Sequence, residues 1–168
     1  MRTALHLLAV VGAVALTATS PVGVNAQGDS NEGLRRLRCI QVGVSTPDAA
    51  PTLGPSPDEL RQALLVAVRS KLPRLVVSET CTDRLRLWFY LKDISSAGRL
   101  DAFYGHMELK LFRPALLLDS RASITPAVWA STVAYFHGPK SGARQRSFRF
   151  IDELVTQFAA EYYVAENP

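Results

Sequence analysis

The sequence predicts an α+β fold: a two-layer sandwich in which a mixed, mostly antiparallel sheet carries two helices on one face. Three observations lead there. The segments Leu85–Lys92, Phe103–Leu111 and Val128–Phe136 alternate apolar and polar residues with the period of two expected of half-buried strands. A capped amphipathic segment, Ser56–Leu72, lies between two short apolar runs. A second amphipathic segment, with Ile151, Leu154, Val155, Phe158 and Tyr162 at helical spacing, closes the chain. Each such element must bury its apolar face against another layer, and the order β-α-β-β-β-β-α does so in two layers.

The first 26 residues stand apart from this fold. Arg2 gives a positive start, Leu5 to Ala18 an apolar stretch, and Val24-Asn25-Ala26 small residues before Gln27. This is the order of a cleavable secretory signal peptide. Its apolar run of about a dozen residues is shorter than the roughly 20 that cross a bilayer core. No later run comes closer, since Leu116-Leu117-Leu118 is bounded by Pro114 and Asp119. No cysteine ends the signal, so a lipid anchor is not expected. The remainder reads as a polar lead-in over 27–33 and one domain over 34–168, periplasmic or secreted and not membrane-spanning. About 140 residues suffice for one real core. The full chain carries 19 Lys and Arg against 15 Asp and Glu, a surplus of +4 that permits anionic partners without demanding them.

The elements follow in order. Arg36–Val44 alternates, with Ile40, Val42 and Val44 on one face, and reads as a strand. Residues 45–55 hold three prolines and a glycine and read as a loop. Ser56-Pro57-Asp58-Glu59 is a capping box with proline at the first helical position, and Pro73 stops the helix it opens. Leu75-Val76-Val77 is a short strand, and Thr80–Asp83 turns into the three long ones. Ser95–Asp101 and Pro114–Pro126 connect these, and a basic loop, His137–Arg146, leads to the last helix, which ends near Val164.

Cys39 and Cys81 are the two cysteines, and an exported pair most often forms a disulfide. The closed loop of about 40 residues corresponds to roughly 3–4 kcal/mol in the chain-entropy picture. Metal binding is the weaker alternative, because there is no C-x-x-C or H-x-x-x-H. Cys39 begins the first strand and Cys81 follows the second. Were those strands parallel neighbours, the sulfurs would sit near opposite ends, beyond the Cα separation a disulfide spans. An antiparallel pairing is therefore expected.

No nucleophile elbow, phosphate loop, zinc-protease motif or dinucleotide turn is present, and no cofactor is implied. His106 and Glu108, two apart on one strand face, could serve a small hydrolase as an acid/base pair. Neighbouring polar side chains on an open sheet are the ordinary case, however. That face should also gather Arg86, Trp88, Tyr90, Lys92, Tyr104, Lys110, Trp129 and Tyr135. Aromatic and arginine-rich surfaces favour binding. Cross-strand aromatic pairs that merely stabilise the sheet, or a homo-oligomer interface, are the alternatives. A second patch, Lys140, Arg144, Arg146 and Arg149, lies where cations oppose the helix dipole and could take a phosphate or other anion, or be a solvated loop. The reading is a non-enzymatic binding or envelope-accessory module. Its partner would be another envelope protein or an anionic or glycan ligand, and nucleic acid is not expected.

Gly33-Leu34-Arg35, the capped Ser56–Leu60, Val128-Trp129-Ala130-Ser131 and the ending Phe158, Tyr162, Asn167, Pro168 together resemble a group of small exported bacterial proteins with no assigned activity. That resemblance implies an exported α+β domain and transfers no active site. The element order is also similar to that of periplasmic α+β assembly factors, such as the lipopolysaccharide-transport lipoprotein and the amino-terminal domain of TolB, as an analogy of fold alone.

Overall fold

The computed structural model describes residues 32–46, 53–94 and 101–167. The signal peptide expected over 1–26, and 27–31 of the lead-in, lie outside the described residues. A 3-10 turn, Glu32–Leu34, comes first, followed by β1 (Cys39–Ser45), α1 (Pro57–Lys71), β2 (Val76–Val77), β3 (Arg84–Asp93) and β4 (Ala102–Phe112). Next are β5 (Ala115–Leu116), β6 (Ser123–Ile124), β7 (Ala127–Ala130), β8 (Ala134–Pro139), a 3-10 turn over Lys140–Gly142, and α2 (Ala143–Glu166).

The capping box forms as its residues dictate. Ser56 Oγ accepts from the Glu59 amide, and the Glu59 carboxylate accepts from the Ser56 amide. Leu60, Leu64, Ala67 and Val68 put the buried stripe of α1 against the sheet. Ile151, Leu154, Val155, Phe158, Ala159 and Tyr162 do the same for α2. The helices start together, where Arg144 meets Glu59, and the end of α1 meets α2 at Lys71–Asp152 and through the Tyr163 hydroxyl on the Lys71 carbonyl. They therefore run in the same sense over one face of the sheet. Beneath them Leu85, Leu87, Phe89, Phe103, Met107, Leu109 and Leu111 complete the core. This is the two-layer α+β sandwich expected.

The main sheet has the order β2-β1-β3-β4, with β7 and β8 both pairing to β4 at its two ends. β3 and β4 pair antiparallel over their whole length, Arg84 opposite Phe112 through Asp93 opposite Phe103. Two expectations change.

The first concerns the cysteines. Cys39 and Cys81 are bonded, with Cα atoms 5.6 Å apart, yet β1 and β2 are parallel, Cys39 opposite Val76 and Ile40 opposite Val77. The expectation of antiparallel strands assumed that they lie side by side along their length. β2 is two residues long and matches only the start of β1. The chain then crosses β1 through residues 78–83 and runs on beside it as β3, again parallel, Gln41 opposite Arg84. Cys81 sits in that crossing, within reach of Cys39.

The second concerns the third long strand. One alternation from Val128 to Phe136 would send Trp129 and Tyr135 to the same side. Instead the strand breaks into β7 and β8, because two residues more than the partner needs are accommodated. Leu111 opposes Trp129 while Phe112 opposes Ala127, leaving Val128 extra, and Met107 opposes Ala134 while the Ser131 amide bonds Leu109, leaving one extra at 132–133. Such one-residue insertions flip every later side chain to the other face. Trp129 therefore points into the core, 4 % exposed, and Tyr135 out, 64 % exposed. Ser131, buried, repairs the ladder at the break by accepting the Leu109 amide on its hydroxyl.

Two segments read as loops are structured. Part of Pro114–Pro126 is a β5–β6 hairpin, Ala115 opposite Ile124. α2 starts at Ala143, eight residues before Ile151, because Ala143, Ser147 and Ile151 already form a buried row at helical spacing. Gly33 packs against β7 so closely that a Cβ would overlap the Val128 carbonyl oxygen.

Candidate functional site

Opposed residues in a β ladder share a face, so the register fixes what the uncovered side of the sheet carries. From β3 come Arg84, Arg86, Trp88, Tyr90 and Lys92, and from β4 Tyr104, His106, Glu108, Lys110 and Phe112. Tyr135 and His137 of β8 lie opposite His106 and Tyr104. Gln41, Gly43 and Ser45 of β1 lie opposite Arg84, Arg86 and Trp88.

The rings are in contact. Tyr90 stacks on His106 at 5.1 Å between centroids, Tyr135 lies 6.0 Å from His106, and Tyr104 stacks on Tyr135 at 6.3 Å. A second group joins Trp88 to Phe112 at 5.4 Å, with the Lys110 ammonium 5.2 Å from the Trp88 ring. Among the described residues of β3 and β4, Arg84, Arg86, Lys92 and Lys110 share this face with one carboxylate, Glu108, and Glu79 reaches its β1 edge through Gln41, so the face keeps a cationic surplus. At the corner where β1, β3 and the end of β4 meet, Ser45, Arg84, Arg86, Trp88, Phe112 and Thr125 line an open hollow of about 300 Å³.

Of the residues expected on this face, Arg86, Trp88, Tyr90, Tyr104, His106 and Tyr135 are gathered there. Trp129 is not. Its ring is edge-on to Phe158 at 4.9 Å, and its indole N–H donates to the Glu161 carboxylate beneath α2. Trp129 belongs to the core, for the register reason given above. Arg84 and Phe112 were legible as the next step of each alternation. Ser45 follows only from the parallel pairing of β1 with β3, and nothing local signals Thr125.

Glu108 pairs with Lys110 at 2.8 Å, and His106 lies between the rings of Tyr90 and Tyr135. Among the described residues no group of three or more His, Cys, Asp or Glu is placed to hold a metal.

The second patch converges only in part, where Arg146 and Arg149 line an open hollow of about 420 Å³ with Gln145. Lys140 bonds Asp93 at 2.7 Å and lies 3.6 Å from Asp101, and the Asp93 hydrogen bond raises its pKa. Arg144 gives both terminal nitrogens to Glu59, which, with the Ser56 amide, holds that carboxyl down at about 2. Arg149 pairs with Glu153 one turn on, and Arg146 donates to the His137 carbonyl. The cations opposing the α2 dipole are thus mostly answered by the protein's own acids and carbonyls. The crossing at the other edge is held similarly, with Gln41 and Arg61 both on Glu79 and the Glu79 carboxyl lowered, mainly by Gln41.

Among the described residues no helix is long and apolar enough to cross a membrane. No family model matches this chain, and no curated protein does. Solved structures are similar at low identity. The hypothetical protein CT253 from Chlamydia trachomatis is 9% identical over 74% of this chain and 97% of its own, with a TM-score of 0.44. A point variant of PelC from Paraburkholderia phytofirmans, a dodecamer, is 11% identical over 71% and 84%, with a TM-score of 0.42. A minor lipoprotein from Acinetobacter baumannii is 13% identical over 74% and 91%, with a TM-score of 0.34.

Proposed function

We propose that this protein is a non-enzymatic binding module of the cell envelope, exported by residues 1–26, whose domain over 34–168 holds an anionic glycan on its open sheet face. One observation carries the reading: a contiguous row of rings, Tyr90, His106, Tyr135 and Tyr104, on a cationic face that neither helix covers. Planar side chains offer sugar rings a large contact area at little entropic cost, and unpaired cations select acidic chains. The pairing of Glu108 with Lys110 and the seating of His106 among rings support binding over hydrolysis, and a small exported domain with a disulfide suits the compartment. Membership of the exported group that Gly33-Leu34-Arg35 and the Phe158–Pro168 ending resemble is part of the same proposal.

Affinity electrophoresis tests it. The exported protein should be retarded in a gel containing polygalacturonate, which is acidic, and not in one containing neutral dextran. Tyr90→Ala with Tyr135→Ala should abolish the retardation. Equal mobility of the wild type in both gels would remove the proposal.

A further inference from the structure

We infer that the corner hollow between β1, β3 and the end of β4 is a subsite for one acidic sugar unit, with the anionic group on Arg84 and Arg86 and the sugar ring against Trp88. This rests on the glycan-binding reading above and names what one end of that face recognises.

The charge pattern is the first observation. Arg61, Arg113, Arg144 and Arg149 each reach a carboxylate of the protein. Arg84 and Arg86, two apart on the same face, have no acidic partner among the described residues, and both line the hollow. Guanidinium forks match carboxylate and phosphate oxygens, so an oxyanion is the group this pair would take.

The seating of Arg86 is the second. Its half-buried side chain lies flat over Gly43, where a Cβ would come within 3.3 Å of its Cδ, Nε and Cζ. β1 thus has no side chain at the one position where one would lift the guanidinium off the sheet. The third is the wall. Trp88 and Phe112 are tilted by 50° against each other and give the hollow an aromatic side, while Ser45 and Thr125 add hydroxyls that can exchange hydrogen bonds with sugar hydroxyls. A volume of about 300 Å³ suits a single ring, at the lower end of small-ligand sites.

The two tryptophans make the test direct, since each has one indole N–H resonance. The exported protein is titrated with glucuronate, glucose 6-phosphate, methyl glucoside and inorganic phosphate. Trp88 should shift with the first two, while Trp129, beneath α2, stays fixed. Whichever acidic sugar binds more tightly identifies a carboxylate or a phosphate as the natural group. Arg84→Gln with Arg86→Gln, and separately Gly43→Ala, should weaken binding at least tenfold with the remaining amide spectrum preserved. An equal response to methyl glucoside, or to inorganic phosphate alone, would overturn the inference, as would unchanged binding by the arginine variants. If those variants are silent but polygalacturonate still retards the wild type, the subsite fails and the glycan-binding face stands. If retardation is also absent, both fail.

Discussion

Glu59 and Arg144 join the first turn of α1 to the first turn of α2, and the same carboxylate also closes the Ser56 capping box. One side chain therefore answers two needs: unsatisfied amides at the start of α1, and a cation set against the dipole of α2.

Acid should undo this junction in a defined window. The Glu59 carboxyl lies at about 2 in the folded protein, mainly through Arg144, below the ordinary 4.5. A lowered folded pKa gives stability that is fully present above the unfolded value and lost as pH falls through the folded one. Urea midpoints of the wild type and Glu59→Gln should differ above pH 4.5 and converge toward pH 2, because glutamine keeps the cap but not the charge.

The two faces of β7 and β8 should separate cleanly by stability. Trp129→Ala removes a buried ring packed on Phe158 and should cost about 3–5 kcal/mol. Tyr135→Ala, on the exposed face, should stay within about 0.5 kcal/mol in the same denaturant titration. Similar losses for both would mean that they share a side.

Removing the Cys39–Cys81 bond by double substitution with alanine should lower stability by about 3–4 kcal/mol, as expected for a closed loop of this length. Reduced wild type should match the variant in guanidinium unfolding.

The β5–β6 hairpin exposes Leu116, Leu117 and Leu118, the last 93 % exposed. Contiguous apolar surface of this kind binds hydrophobic dyes without unfolding. Native protein should enhance anilinonaphthalene sulfonate fluorescence, and replacing the three leucines by serine should remove the signal while moving the denaturation midpoint little.

Much of this molecule was legible because local chemistry and long-range packing agree. The Ser56–Glu59 box, the alternations of β3 and β4, and the stripe from Ile151 to Tyr162 each depend on neighbours in sequence. What was not legible depends on partners. The inward turn of Trp129 needs β4, against which the extra residues are counted. The parallel start of the sheet needs the length of β2. The early start of α2 was hidden because arginines at 144, 146 and 149 resemble a loop until Glu59 and the His137 carbonyl are seen to receive two of them. At the face itself, Arg86 to Lys110 followed from alternation, whereas the hollow required β1 beside β3.

The two extra residues along β7 and β8 also set a parity. With one of them removed at Thr132, Val133 would fall opposite Glu108 and Ala134 would still oppose Met107, so Phe136 would keep the company of Phe103 and Phe150 and Tyr135 would stay on the open face. This stretch should therefore tolerate a single-residue deletion at Thr132, a change that in an unbroken strand would turn every later side chain over.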